Sequence, residues 1–296
     1  MTTHDPSSRS SAPIELRVPV ADGVALHAER RDGDPGVLPF VLVHGLASNL
    51  RLWDGVAEDL HACGHTVVSV DQRGHGRSDA PESMYDMDTA VADLLALVRV
   101  LDLSRPVLAG QSWGGHVVLE LAWRHPALVS GICCVDGGVT DLADAFPDWD
   151  ACLAALTPPR LDHLTLAELE ARMRAFSPQL PDRAITAALA CFREGEDGRV
   201  EARLARDRHL RILRSLWEHR PSTRYPTLKV PAMLILADTG EERRTAAKRR
   251  AEAVAVAAAP RLRSHWFSPA HHDVHSQFPE KVAALLGDAV RQGFFR

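Results

Sequence analysis

Val107-Leu108-Ala109-Gly110-Gln111-Ser112-Trp113-Gly114-Gly115 is the stretch whose reading decides the fold. A short apolar run ends in glycine, a serine follows two residues on, and a glycine pair opens a helical stretch reaching about His125. G-x-S-x-G between a strand and a helix is a turn so tight that only small residues fit two positions either side of the serine. Such a turn holds the hydroxyl out at the C-terminal edge of a sheet, over a helix N-terminus. The pentapeptide alone reads equally well as a glycine-rich turn; its setting makes Ser112 a candidate nucleophile.

Upstream, Phe40–Val43 is an apolar run ending in His44-Gly45, followed by a helical face of Leu52, Val56 and Leu60. Val67–Val70 ends at Asp71, and a helix is expected from about Met87 to Leu101. Ile14–Val20 and Val24–Arg31 alternate apolar and polar residues around Ala21-Asp22-Gly23, which reads as a hairpin. Downstream lies Ile132–Val135. Strands alternating with helices of this length predict βαβ units, hence an α/β protein with a mostly parallel central sheet flanked by helices. From about Asp141 to Tyr225 no strand-like run occurs, only helical stretches broken by Pro158-Pro159, Pro178, Pro181 and Pro221. Leu210, Leu213 and Trp217 there fall on one helical face. The sheet pattern resumes at Met233–Leu236, with a helix from about Arg243 to Ala258, a strand over Leu262–Phe267 and a closing helix from Pro279.

The chain has 296 residues, enough for one large domain or one domain with an insertion. With 46% hydrophobic and 25% charged residues it is no disordered tail, collagen-like fibre or disulfide scaffold. Lys plus Arg is 34 against 39 Asp plus Glu, a net charge of −5, so there is no electrostatic footprint for nucleic acid or anionic lipid. Only Lys229, Lys248 and Lys281 are lysines, which suits a GC-rich genome. No apolar run approaches the ~18 residues of a membrane span. Residues 1–13 are polar and Ser-rich without an apolar core, so a disordered tail rather than a signal peptide is expected. Five cysteines, with Cys133 and Cys134 adjacent in an apolar run, read as reduced core residues of a cytoplasmic protein.

Three further segments carry chemistry. Chain reversal at His44-Gly45-Leu46 leaves backbone N–H groups free for an anion, so the N–H groups of Leu46 and Trp113 are a candidate oxyanion hole. His44 reads first as a hydrogen-bonder fixing that loop, with pocket lining as the other role. Asp71-Gln72-Arg73-Gly74-His75-Gly76-Arg77-Ser78-Asp79 reads as an architectural loop, since no phosphate-binding G-x-x-x-x-G-K-[ST] is present. His271, His272 and His275 cluster after the last strand. A serine needs a neighbouring base and histidine suits that role. A zinc reading of these three with Asp273 is weak, because no H-E-x-x-H spacing occurs.

This order of strand-His-Gly, D-x-R-G-H-G-x-S, G-x-S-x-G, helical insertion and late His resembles the α/β-hydrolase superfamily from about Pro13 to the C-terminus. The resemblance implies an α/β-hydrolase core over residues 14–140 and 229–296, with a helical cap over 141–228 inserted between two late strands. It implies Ser112 as nucleophile and His272 as base, since Pro279 lies seven residues after His272 as a Pro commonly does in the family. His275 is implied only as a pocket-lining or supporting residue. The acid departs from the pattern. The usual position after the post-cap strand falls on Gly240, with Asp238 and Glu241 beside it. Some branches place the acid before the cap, where Asp136 stands ahead of two glycines; Asp136 is preferred, with Asp238 and then Glu241 as alternatives. Ser112-Trp113-Gly114-Gly115 is also similar to the elbow of haloalkane dehalogenases, whose nucleophile is Asp; a Ser there disfavours dehalogenation, and epoxide hydrolysis equally.

The cap segment holds 13 Arg, no Lys and 14 Asp or Glu, so nothing in it favours a strongly anionic substrate. Trp149, Phe176, Phe192 and Trp217 are candidates either for a substrate pocket or for packing. The expected protein is a bacterial-type serine hydrolase acting on an ester, lactone or thioester of a small or medium organic molecule. Alternatives are carbon–carbon hydrolysis, lyase or acyl-transfer chemistry on the same scaffold, or a ligand-binding non-enzyme. No metal or organic cofactor, nucleic acid or membrane partner is expected, and the chain is expected to be a monomer or homodimer.

Overall fold

The computed structural model describes residues 12–296, so most of the expected tail lies outside the described residues. The chain runs β1 (Ile14–Ala21), β2 (Val24–Arg31), β3 (Phe40–Val43), α1 (Asp54–Ala62), β4 (Val67–Val70), α2 (Met87–Val100), β5 (Val107–Gln111), α3 (Trp113–Arg124) and β6 (Gly131–Val135). An insertion follows: α4 (Leu142–Ala145), α5 (Trp149–Leu156), α6 (Leu166–Phe176), α7 (Asp182–Leu189), β7 (Phe192–Glu194), β8 (Val200–Ala202) and α8 (Arg206–Glu218). The chain then closes with β9 (Ala232–Ala237), α9 (Glu242–Ala258), β10 (Leu262–Phe267), α10 (Val274–Gln277) and α11 (Pro279–Arg291).

Eight strands form one sheet in the order β1-β2-β4-β3-β5-β6-β9-β10. Only the β1–β2 and β2–β4 pairs are antiparallel; from β4 to β10 every neighbour is parallel. The central strands are continuous apolar runs because both faces are covered. Their side chains alternate between two cores. Val41, Val43, Leu108, Ile132, Cys134 and Leu234 pack with α2 and α3 residues such as Leu94 and Val117 on one face. Phe40, Leu42, Val107, Cys133, Val135 and Met233 pack with α1 and α11 residues such as Val56 and Leu286 on the other. Cys133 and Cys134 thus face opposite ways, and all five cysteines are free thiols.

In this register Val43 lies beside Gly110, Gln111 beside Val135 and Val135 beside Ile235. The strands therefore finish together, and the segments following β3, β5, β6 and β10 emerge along one edge, where open α/β sheets place their sites.

The insertion is mainly helical, but the expectation that it holds no strand is corrected by the short antiparallel hairpin β7–β8. Three-residue strands containing Arg193, Glu194 and Glu201 carry too little period-2 apolar signal to be read from sequence. The insertion has a small core of its own around Leu164, Leu169 and Val200. It is tied to the sheet domain by Asn49 Nδ2 donating to Ala187 O at 2.7 Å. At its other end His219 bridges His116 and Glu120 of α3, each contact 3.0 Å.

The turn into α3 is as tight as the glycine pattern demands. A Cβ on Gly110 would stand 2.1 Å from the Gly114 carbonyl oxygen, a backbone atom held in a helix. Gly110→Ala is expected to lower stability by about 1–3 kcal/mol in a denaturant titration, because backbone must move to admit the methyl. Gly287→Ala in α11 meets only the movable Arg291 guanidinium, at 3.3 Å. It is expected to raise stability by about 0.5–1 kcal/mol through helix propensity; the reverse order would refute the packing account.

Candidate active site

Ser112 sits at φ 49° and ψ −117°, a conformation that costs a non-glycine residue about 1–3 kcal/mol. The turn is held from both sides. Ser112 N–H donates to Val135 O at 2.9 Å and Gly115 N–H donates to Ser112 O at 2.9 Å. Ser112 is partly exposed, and among the described residues its hydroxyl has no hydrogen-bond partner. Two loops press against it. A Cβ on Gly137 would lie 2.2 Å from Ser112 O, so only glycine lets the chain after β6 pass there. A Cβ on Gly45 would lie 3.0 Å from Ser112 Cβ, which puts the loop after β3 on the other flank.

Asp136 ends β6 with φ 44° and donates its own N–H to Ile235 O at 2.7 Å. That turn aims the carboxylate across the top of the sheet, where its side chain has no exposed surface. Oδ2 accepts from His272 Nδ1 at 2.6 Å. Oδ1 accepts from Ala237 N–H at 3.0 Å, and Lys248 Nζ donates to both oxygens at 2.7 Å. Burial pushes this carboxyl up, but the His272 bond and the Lys248 charge outweigh it and hold the group below its ordinary pKa. For His272 burial works against the cation, yet Asp136 prevails and raises its pKa; Lys248 opposes that rise. The His272 side chain is 46% exposed, so the ring stands between a buried anion and solvent. With Nδ1 donating to Asp136, Nε2 is left as an acceptor. Gln111 Nε2 donates to His272 O at 3.4 Å, linking this loop to the strand end before Ser112.

Leu46 and Trp113 N–H groups have no acceptor among the described residues, as an anion site requires. The loop bearing Leu46 is set by two neutral histidines. His75 Nε2 accepts from Ala47 N–H at 3.2 Å, holding Ala47 at φ 55°, and burial drives the His75 pKa down to about 3. His44 Nε2 accepts from Gln72 N–H at 3.0 Å while Nδ1 donates to Gly45 O at 2.7 Å. His44 is fully buried with both nitrogens engaged, which corrects the pocket-lining role: it braces the loop.

The other candidates lie elsewhere. Asp238 is spent on its own loop, accepting from Gly240 N–H, Thr245 Oγ1 and Ser268 Oγ. Glu241 pairs with Arg244 at 2.9 Å. His275 neither lines a pocket nor supports His272. It is wholly buried, tilted over Trp53 with ring centroids 4.3 Å apart, and neither nitrogen has a hydrogen-bond partner among the described residues. His271 Nδ1 accepts from Asp273 N–H at 3.1 Å, so the three late histidines diverge rather than gather round an ion. Trp149 and Trp217 meet edge to face at 5.8 Å, with Arg214 over Trp149, which is packing within the insertion. Phe192 joins the insertion's own core, whereas Phe176 is 85% exposed and serves neither role. Lys248 belongs to no sequence motif. Its one signal was rarity, a lysine retained in a chain that otherwise uses arginine, where a compact ammonium fits between two carboxylate oxygens and the Ala237 carbonyl.

Comparison with known proteins agrees with this architecture. A 2-(acetamidomethylene)succinate hydrolase of Mesorhizobium japonicum (strain LMG 29417 / CECT 9101 / MAFF 303099) is 29% identical over 168 residues, 56% of this chain and 52% of that protein. An uncharacterized protein of Mycobacterium tuberculosis (strain ATCC 25618 / H37Rv) is 34% identical over 133 residues, 45% of this chain and only 38% of its own length. The crystal structure of an E-2-(acetamidomethylene)succinate hydrolase superposes with a TM-score of 0.75 at 22% identity, covering 94% of this chain and 99% of that one, a likeness of fold. Residues 39–212 match the family described as alpha/beta hydrolase fold, and the chain belongs to that family.

Proposed function

We propose that the protein is a serine hydrolase that cleaves a carboxylic ester, lactone or thioester through an acyl-enzyme on Ser112. The observation that carries this reading is the 2.6 Å bond between His272 and a buried, ionised Asp136, next to a strained serine turn. Ser112 Oγ attacks the carbonyl carbon as its proton passes to His272 Nε2. The N–H groups of Leu46 and Trp113 take the oxyanion, each donor being worth roughly 10²–10³ in rate. The proton then goes to the departing alcohol or thiol. Water attacks the acyl-enzyme, gives its proton to His272, and the same proton returns to Ser112. Asp136 holds the ring in the required tautomer and stabilises the imidazolium. Residues 141–228 act as a cap over this edge, pinned through Asn49 on one side and His219 on the other. The contact of Asp136 with His272 supports this reading over that of a non-catalytic binder.

A fluorophosphonate is expected to add once, on Ser112, as read by intact mass and peptide mapping, and His272→Ala should abolish the adduct. A folded protein that takes up no label would sink the proposal.

Asp136→Asn is expected to lower turnover of a p-nitrophenyl ester by up to ~10⁴, as loss of a triad acid does elsewhere. Asp238→Asn should change it little; the opposite order would put the acid on the wrong strand.

The base works only when neutral, and its pKa is raised, so kcat/KM is expected to climb with pH along a limb lying above the ordinary histidine range. Lys248→Met removes a cation that opposes protonation of His272, so this limb should move to higher pH. A limb that stays put or moves to lower pH would show that Lys248 does not act on the histidine.

A further inference from the structure

Glu15 and Glu29 stand directly opposite each other in the β1–β2 ladder, and His27 lies two residues along β2 on the same face. One donor atom from each of Glu15, His27 and Glu29 lies within 4.8 Å of the others. His27 and Glu29 are buried, at 3% and 4% exposure. His27 Nδ1 bonds Asp71 Oδ2 at 2.8 Å, and the side chains of both are almost fully enclosed. Burial raises the Asp71 carboxyl, but hydrogen bonds from His27 and from backbone N–H groups outweigh it, so Asp71 is an anion and Nδ1 carries the proton. In the neutral ring, an Nδ1–H donating to Asp71 leaves the lone pair on His27 Nε2. It is buried and, among the described residues, has no hydrogen-bond partner, so a buried acceptor stands uncompensated beside the Glu15 and Glu29 carboxylates.

The geometry points to a divalent-cation site of the zinc type at Glu15, His27 and Glu29. A carboxylate holding the far nitrogen of a ligating histidine is the usual support for such an ion, and Asp71 stands in that place. One imidazole with two carboxylates suits zinc better than magnesium, which prefers oxygen alone. Donors on a tetrahedral ion at ~2.0–2.1 Å sit about 3.3 Å apart, so these atoms need draw in by at most about 1.5 Å, and Glu15 is exposed. Arg77 takes one oxygen of Glu15 at 2.7 Å, and Arg51 holds Glu29 at 2.5 and 3.1 Å. Both guanidiniums neutralise the carboxylates without being ligands, since arginine has no lone pair to give. The ion would fasten the edge strand β1 to Asp71, which also accepts from Leu50 and Arg77 N–H and so anchors the loops after β3 and β4.

The test is calorimetric titration of metal-free protein with Zn²⁺, paired with the anomalous signal of a zinc-soaked crystal. The expected result is one tight equivalent, a raised Tm, and a peak between Glu15, His27 and Glu29. Glu15→Gln, an isosteric change at an exposed position, should weaken binding at least tenfold and remove the Tm gain; His27→Gln should do the same. Absence of binding, affinity unchanged in Glu15→Gln, a peak at His271 or His272 instead, or Mg²⁺ binding as well as Zn²⁺ would each overturn the assignment.

Discussion

A carboxylate with no exposed surface must be surrounded by donors, and Asp136 is surrounded from three separate segments: β9, α9 and the loop after β10. Its backbone closes onto β9, its oxygens take Ala237 N–H and the Lys248 ammonium from α9, and the one remaining direction holds His272. Removing one partner of such a buried pair costs about 3–5 kcal/mol, because the other is left charged in a medium that cannot solvate it. Stability and chemistry therefore pull the same way here. The sheet order β5-β6-β9 is what brings those donors together, and the histidine is aimed by the arrangement that keeps the anion ionised.

The same economy governs the neighbouring loops. Three non-glycine residues at positive φ, Ala47, Ser112 and Asp136, lie on three successive segments at one sheet edge. Each is held by a neighbour: Ala47 by His75, Ser112 by Val135, Asp136 by Ile235. Strain of this kind persists only where the surroundings over-determine it, which is why it collects at the edge the fold offers for binding. Neutral His44 and His75 serve as backbone acceptors deep in the protein. Their burial removes them from acid–base work, whereas His272 is exposed on one side.

Asp71 is a second hub built on similar lines. It gathers His27 Nδ1, Leu50 N–H and Arg77 N–H, while Arg73 two residues on pairs with Asp93 at 2.6 Å in a buried ion pair. The segment from Asp71 to Asp79 is thereby architectural, locking the antiparallel edge of the sheet to the parallel centre. The carboxylates of Glu15 and Glu29 lie on the outer side of that hub.

Much was legible in the sequence. Apolar runs of four or five residues separated by helical periods specify a doubly covered parallel sheet, because only strands buried on both faces lack alternation. Gly110, Ser112 and Gly114 specify the turn, because no side chain fits where Gly110 meets the Gly114 carbonyl. The β7–β8 hairpin escaped because it is short, charged and exposed. Sequence order favours Asp136 over Asp238 only narrowly, since both follow strands and both precede turns. Tertiary structure decided it: the strand register carries Asp136 under His272, 136 residues away in the chain, and leaves Asp238 bonded to Gly240, Thr245 and Ser268. Lys248 and the Glu15–His27–Glu29 cluster belong to the same category. Local residue pattern carries backbone conformation and burial, whereas the meeting of charges depends on which strands pair, and that is settled only when the whole sheet closes.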